Sequence, residues 1–407
     1  MEAARESLDK PRIEPALVVI LGGVAAALHV GKLPPAIPAL QSALGLSLLQ
    51  AAFLLSMVQG AGMCAGVAFG ALADSLGLKR SMLVGLSVLA LASALGGVSD
   101  QVALLLALRA AEGFGFLLTV LPAPGMVRRL VPPERMSLML GLWGAYMPLA
   151  TASALLLGPL WIGAFGWRSW WWLLAAASAA AALWLARAVP AAAATSASPT
   201  AQSQPHWAVR LRQTLGARGP WLTAMSFAVY SGQWLAVIGF LPSIYTQAGV
   251  SGATTGVLTA LAAAVNMIGN IGSGRLLHRG ARPTTLMVVG FVTMGIATVV
   301  AFAGGAHGEG TPAWLRYAAV LAFSAVGGLV PATLFALGVR VAPSEHTLST
   351  TVGWMQQWSA FGQFAGPPLV AWVAGVAGGW QLTWLVTGAA SLVGLALTAA
   401  IARLKLH

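Results

Sequence analysis

Residues 49–80 read LQAAFLLSMVQGAGMCAGVAFGALADSLGLKR. From 49 to 73 there is no charged side chain; Asp74, Gly77, Lys79 and Arg80 then arrive together, and a second charge-free run begins at Ser81. A helix needs about 20 apolar residues to cross a bilayer core. In lipid the backbone must satisfy its own polar groups, which leaves the helix as the natural form for such a run. The stretch therefore reads as one spanning helix, a short charged turn, and the start of the next.

The rest of the chain repeats this pattern. It has 407 residues, 58% hydrophobic and 8% charged, against roughly 25% charged in soluble proteins. So few charges cannot cover a water-exposed surface, and 48 glycines suit helices packed closely through small side chains. The net charge of +12 does not point to nucleic acid, because the bases sit in short loops between apolar runs. With one cysteine, Cys64, there is no intrachain disulfide and no Cys/His metal cluster. The acidic and basic start of the chain does not resemble a cleaved signal peptide and reads as a cytoplasmic tail.

Twelve spans are expected, near 16–40, 49–73, 81–98, 102–126, 136–160, 169–189, 219–243, 253–274, 284–303, 314–338, 349–376 and 381–402. Of the 22 lysines and arginines, all but Lys32, Arg109, Arg168 and Arg316 fall in the tails and alternate loops of one side. The positive-inside rule makes that side cytoplasmic, with both termini on it, so the expected location is the inner (cytoplasmic) membrane. Residues 190–218 form the longest non-apolar stretch, an Ala/Ser/Pro/Gln-rich linker followed by a short basic amphipathic helix from His206 to Arg218. It divides the chain into halves, 1–189 and 219–407. The halves look like repeats: Gly158-Pro159 and Gly166-Trp167 in the first match Gly366-Pro367 and Gly379-Trp380 in the second. Parallel repeats about a central loop are what a rocking two-domain transporter is built from.

The turn Gly70-Ala-Leu-Ala-Asp74-Ser-Leu-Gly77-Leu-Lys79-Arg80 resembles the signature loop of the major facilitator superfamily, at the place where that family carries it. Physically, Gly70 permits close helix approach, Gly77 a tight turn, and Lys79 and Arg80 hold the loop inside. The resemblance implies a gate-stabilising role for Asp74. The matching loop of the second half, Ser273 to Arg282, lacks the acid, which implies a weaker latch there. Arg109-Ala-Ala-Glu112-Gly113-Phe-Gly115 resembles the family's fourth-helix motif, with an acid at its polar position. The resemblance covers the whole chain and implies an all-α integral membrane fold of twelve helices in two six-helix halves, functioning as a monomer. More narrowly, the stretch from Lys32 to Pro38 and the fifth and eleventh spans resemble the cyanate/nitroimidazole permease group, although that group tends to carry Arg where this chain has Lys32. Gly158-Pro159 resembles a reduced drug/proton antiporter motif, with Trp161-Ile162 replacing its glycine pair.

Intramembrane ionisable groups are the natural site candidates. Arg109 and Glu112, three residues apart, share a helix face and read either as a structural ion pair or as a functional site, with Glu112 the proton carrier and Arg109 a substrate-binding residue. His29 and Lys32 also share a face. Lys32 lies about 12 Å and Arg109 about 10 Å below the same surface at 1.5 Å per residue. Lys32 has no acid near it in sequence; it either snorkels to the membrane edge or attracts an anion in a wet cavity. His29 tunes the substrate site or accepts a proton, or hydrogen-bonds within the bundle. The second half offers no deep charge but has Tyr230, Gln233 and Gln357 to orient a substrate, residue types that also serve as interhelical glue. The tryptophans clustered at span ends, among them Trp161, Trp167, Trp170, Trp171, Trp172, Trp380 and Trp384, read as interfacial anchors.

No nucleotide loop, catalytic triad, cofactor site or metal motif is present, so an enzyme is not expected. The expected function is secondary transport of a small anionic solute by alternating access, with a proton as coupling ion. The rivals are a proton-driven exporter of drugs or hydrophobic solutes, and a non-transporting membrane receptor or assembly subunit.

Overall fold

The computed structural model describes residues 14–64, 77–190, 207–304 and 310–404. Ten helices are long and apolar enough to cross a bilayer. One of them, Tyr146–Ala188, has 43 residues, far more than one crossing needs, and breaks at Gly166, where φ is 78° and ψ 163°. That backbone is strained for any residue with a side chain, so the fifth and sixth spans meet there. The second span opens at Leu48–Met57, started by a capping box between Ser47 and Gln50, and is helical again from 60 to 64. The described residues thus match the twelve expected spans, the second only as far as residue 64, and most are longer than their apolar cores because the helices continue past the charged residues at their ends. Trp207–Gly216 forms the expected short helix before the seventh span.

The first span, Pro15–Leu44, interrupts its hydrogen-bond ladder at Lys32 while keeping helical φ and ψ there. Pro34 and Pro35 have no N–H to offer the carbonyls of Val30 and Gly31. The seventh span, Arg218–Gln247, carries the matching Gly239, Leu241 and Pro242. The repeat is also visible in the crossings. Gly113 of the fourth span lies against the Val58 backbone of the second, and Gly328 of the tenth against the Asn266 backbone of the eighth. A methyl group at either glycine would run into main chain.

The first six and last six spans meet at the end remote from the termini. Leu55 packs on Gly239, Gly256 on the Leu155 and Leu156 carbonyls, and Gly62 on Ala360. The rings of Phe53 and Phe364 lie 6.3 Å apart. Gln59 of the second span donates to Gln363 of the eleventh at 3.1 Å. Toward the termini, the segments Pro15–Gly31, Ala123–Leu130 and Pro133–Gly144 pack mainly within the first six spans. Among the described residues, these contacts between the first six and last six spans lie in the middle and far parts of the bundle.

Candidate ionic site

Proline-broken span one brings His29 and Lys32 against the fourth span, which supplies Arg109 and Glu112 from one helix face. All four residues are at most 1% exposed. Glu112 is the hub. One carboxylate oxygen accepts from the Lys32 ammonium and lies 3.4 Å from His29 Nδ1; the other accepts from Arg109 Nη1. Arg109 also donates to the His29 carbonyl at 2.8 Å and, through Nε, to the Leu54 carbonyl at 3.1 Å. It thereby ties spans one, two and four together. Its Nη2 and His29 Nδ1 are buried without a hydrogen-bond partner among the described residues.

The third and sixth spans complete the shell. Lys32 Nζ donates to Ser93 Oγ at 3.0 Å, and Ser93 in turn donates to the Trp171 carbonyl at 2.8 Å. The ammonium also lies 4.6 Å from the Trp171 ring centroid, a cation–π contact. Trp170 Nε1 donates to the Lys32 carbonyl at 3.2 Å, and His29 Nε2 meets Ser178 Oγ at 2.8 Å. Two cations therefore share one carboxylate inside the first six-helix bundle, with a histidine beside it.

This overturns the reading of Lys32 as an unpaired charge that snorkels to the membrane edge, since it is buried against Glu112. Its acid comes from a helix 80 residues away in sequence, which no local pattern reveals. The reading of the tryptophans as anchors also needs correction at three positions, the first being Trp167, buried at 7% exposure. Trp170 and Trp171 are 2% exposed because their polar edge and ring face are used by Lys32. Trp172, 46% exposed, fits the anchor role. Ser93 and Ser178 were missed; their only signal was a hydroxyl in mid-span, which is as often bound to its own helix.

The remaining candidates lie elsewhere. Tyr230 Oη accepts from Asn266 at 3.0 Å, and Gln233 Oε1 accepts from Ser391 at 3.1 Å. Both belong to the last six spans, as does half-buried Gln357. Gly70 and Asp74 lie outside the described residues. Gly77 opens the third span with φ 82°. Lys79 donates to the carbonyls of Ala186, at 2.9 Å, and Val189. It places its charge at the C-terminal end of the sixth span, where the helix dipole favours a cation. Arg80 is exposed.

A family model described as Major Facilitator Superfamily matches residues 19–367. Among curated proteins, the chain is 28% identical over 153 residues to the tetracenomycin C resistance and export protein of Streptomyces glaucescens. It is 30% identical over 99 residues to the multidrug resistance protein Stp of Mycobacterium tuberculosis. These matches span 38% and 24% of this chain but only 28% and 18% of those proteins. The fold matches that of a bacterial homologue of the human lysosomal transporter Spinster, inward-facing and occupied, with a TM-score of 0.79 at 14% identity over 95% of this chain and 96% of that one. It also matches the nucleoside transporter NupG, with a TM-score of 0.74 at 13% identity over 97% of this chain and all of that one.

Proposed function

Because the chain belongs to the Major Facilitator Superfamily, we propose that it is a secondary transporter that carries a small anionic solute across the cytoplasmic membrane by alternating access. The halves 1–189 and 219–407 rock about the 190–218 linker, and a proton acting at Glu112 is the coupling ion. The observation that carries this reading is the sharing of Glu112 between Lys32 of span one and Arg109 of span four, all buried.

Ionised Glu112 draws the broken first span onto the fourth. A proton on Glu112 removes that attraction and leaves two cations facing each other where the dielectric is low and repulsion is strong. The first span is then released at its proline break. With His29 neutral, the cluster carries more positive than negative charge, and an anion reaching it from between the halves compensates that excess. Neither the anion nor the proton follows from family membership alone; both rest on this charge count.

A thermal-shift screen of purified protein against small anions and cations is the first test, since a ligand of the folded state raises its apparent stability. The stabilising anion should then accumulate in proteoliposomes under an imposed pH gradient, and Glu112→Gln should abolish that dependence. Stabilisation by cations alone, or gradient-independent uptake by wild type, sinks the proposal.

A second reading is a proton-driven exporter of hydrophobic compounds. It is supported by the names of the two curated relatives and by an aromatic cluster on the seventh and eleventh spans, in which Trp221 lies 4.9 Å from Trp354 and 5.6 Å from Trp358. Stabilisation by aromatic dyes in the same screen, without any anion effect, selects it.

A further inference from the structure

Arg218 opens the seventh span and Arg403 follows the twelfth, both at the terminal-side edge of the last six spans. Each ends a stripe of apolar surface. Leu222 and Met225 follow Arg218 at helical spacing, and the exposed face of the twelfth span runs from Leu385 through Leu392 to Arg403. A groove of about 550 Å³ lies between the two arginines, walled by Leu215, Trp221, Leu222 and Ala400. The end of the helix Trp207–Gly216 lines it through Leu215 and Gly216, held by the bond from Trp221 Nε1 to the Leu215 carbonyl at 2.9 Å. Both guanidinium groups are exposed, and among the described residues neither has an acidic partner.

We propose that this groove binds an anionic phospholipid, with its phosphate held between Arg218 and Arg403 and an acyl chain along the Leu222 and Ala400 wall. The charge requires an anion. The apolar walls, continuous with the exposed stripes below, require a hydrocarbon tail attached to it. A free phosphate satisfies the arginines but leaves those walls uncovered, and a zwitterionic lipid covers the walls but brings no net charge. Basic pockets between helices at the membrane surface are suited to anionic headgroups, and Trp221 is the residue type favoured at that depth.

Native mass spectrometry and thermal unfolding of the full chain, titrated with phosphatidylglycerol or phosphatidylcholine in detergent, test this. Phosphatidylglycerol is expected to bind about thirtyfold more tightly, the combined effect of two arginines near an anionic surface, and to raise the unfolding midpoint. Arg218→Gln with Arg403→Gln should remove that preference, Arg218→Lys with Arg403→Lys should keep most of it, and Arg279→Gln should leave it unchanged. Equal retention of the two lipids by wild type overturns the proposal, as does an undiminished preference in the glutamine variant. Protection by inorganic phosphate equal to that by phosphatidylglycerol assigns the site to a free anion and also overturns it. If the glutamine variant does not fold, salt takes its place, because screening weakens exposed charge contacts. A wild-type preference for phosphatidylglycerol that high salt leaves intact refutes the role of the arginines.

Discussion

Replacing Glu112 by Gln keeps the volume of the side chain and removes the only carboxylate of the buried cluster. Lys32 and Arg109 both lean on that carboxylate, so the substitution strands two buried cations. Breaking a buried pair by deleting one partner costs about 3–5 kcal/mol. Lys32→Gln is different, because Arg109 still neutralises Glu112. It forfeits charged hydrogen bonds worth about 1.5–3 kcal/mol, and it relieves the roughly 2.5–3.5 kcal/mol that a lysine costs inside a membrane helix. The two nearly offset. Glu112→Gln should therefore melt well below wild type, by roughly 6–10 °C at about 2 °C per kcal/mol for a large domain, while Lys32→Gln stays close to it. The double variant leaves one stranded cation in place of two, so it should be more stable than Glu112→Gln alone. Thermal unfolding of the four proteins in one detergent measures this cycle. A Glu112→Gln protein as stable as wild type, or a double variant no better than Glu112→Gln, would refute the account of Glu112 as shared counter-charge.

Reporter fusions at residues 205 and 307 should report opposite sides of the membrane; the same side for both is incompatible with the positive-inside assignment. Replacing Gln59 and Gln363 by Ala removes a hydrogen bond between the halves worth about 0.5–1.5 kcal/mol. It should speed impermeant-maleimide labelling of Leu55→Cys from the side remote from the termini, roughly two- to tenfold, in a Cys64→Ser background. An unchanged rate would show that the bond does not hold that side closed. Gly113→Ala and Gly328→Ala should each destabilise by about 1–3 kcal/mol, the usual cost of overpacking, because the added methyl meets the main chain of Val58 or Asn266. Wild-type melting of both would mean that the crossings are looser than described.

The sequence by itself determined the twelve crossings, the grouping of bases on one side, the short helix before the seventh span and the i,i+3 pairing of Arg109 with Glu112. These follow from constraints that act along one helix. Lipid demands long apolar runs with internal hydrogen bonds, loop charge sets orientation, and helical spacing fixes which neighbours share a face. Even the repeat at Gly31 and Gly239, each two residues before a Leu-Pro pair, was there to be read. The tertiary structure alone decided that Lys32 has Glu112 for a partner, that Trp170 and Trp171 face inward to it, and that Gln59 reaches Gln363. Those contacts depend on how each helix is rotated about its axis and which neighbour it crosses. In a membrane these are set by packing of small residues such as Gly113 against backbone. Hydropathy does not encode them, since a span that is apolar all round looks the same to lipid and to another helix.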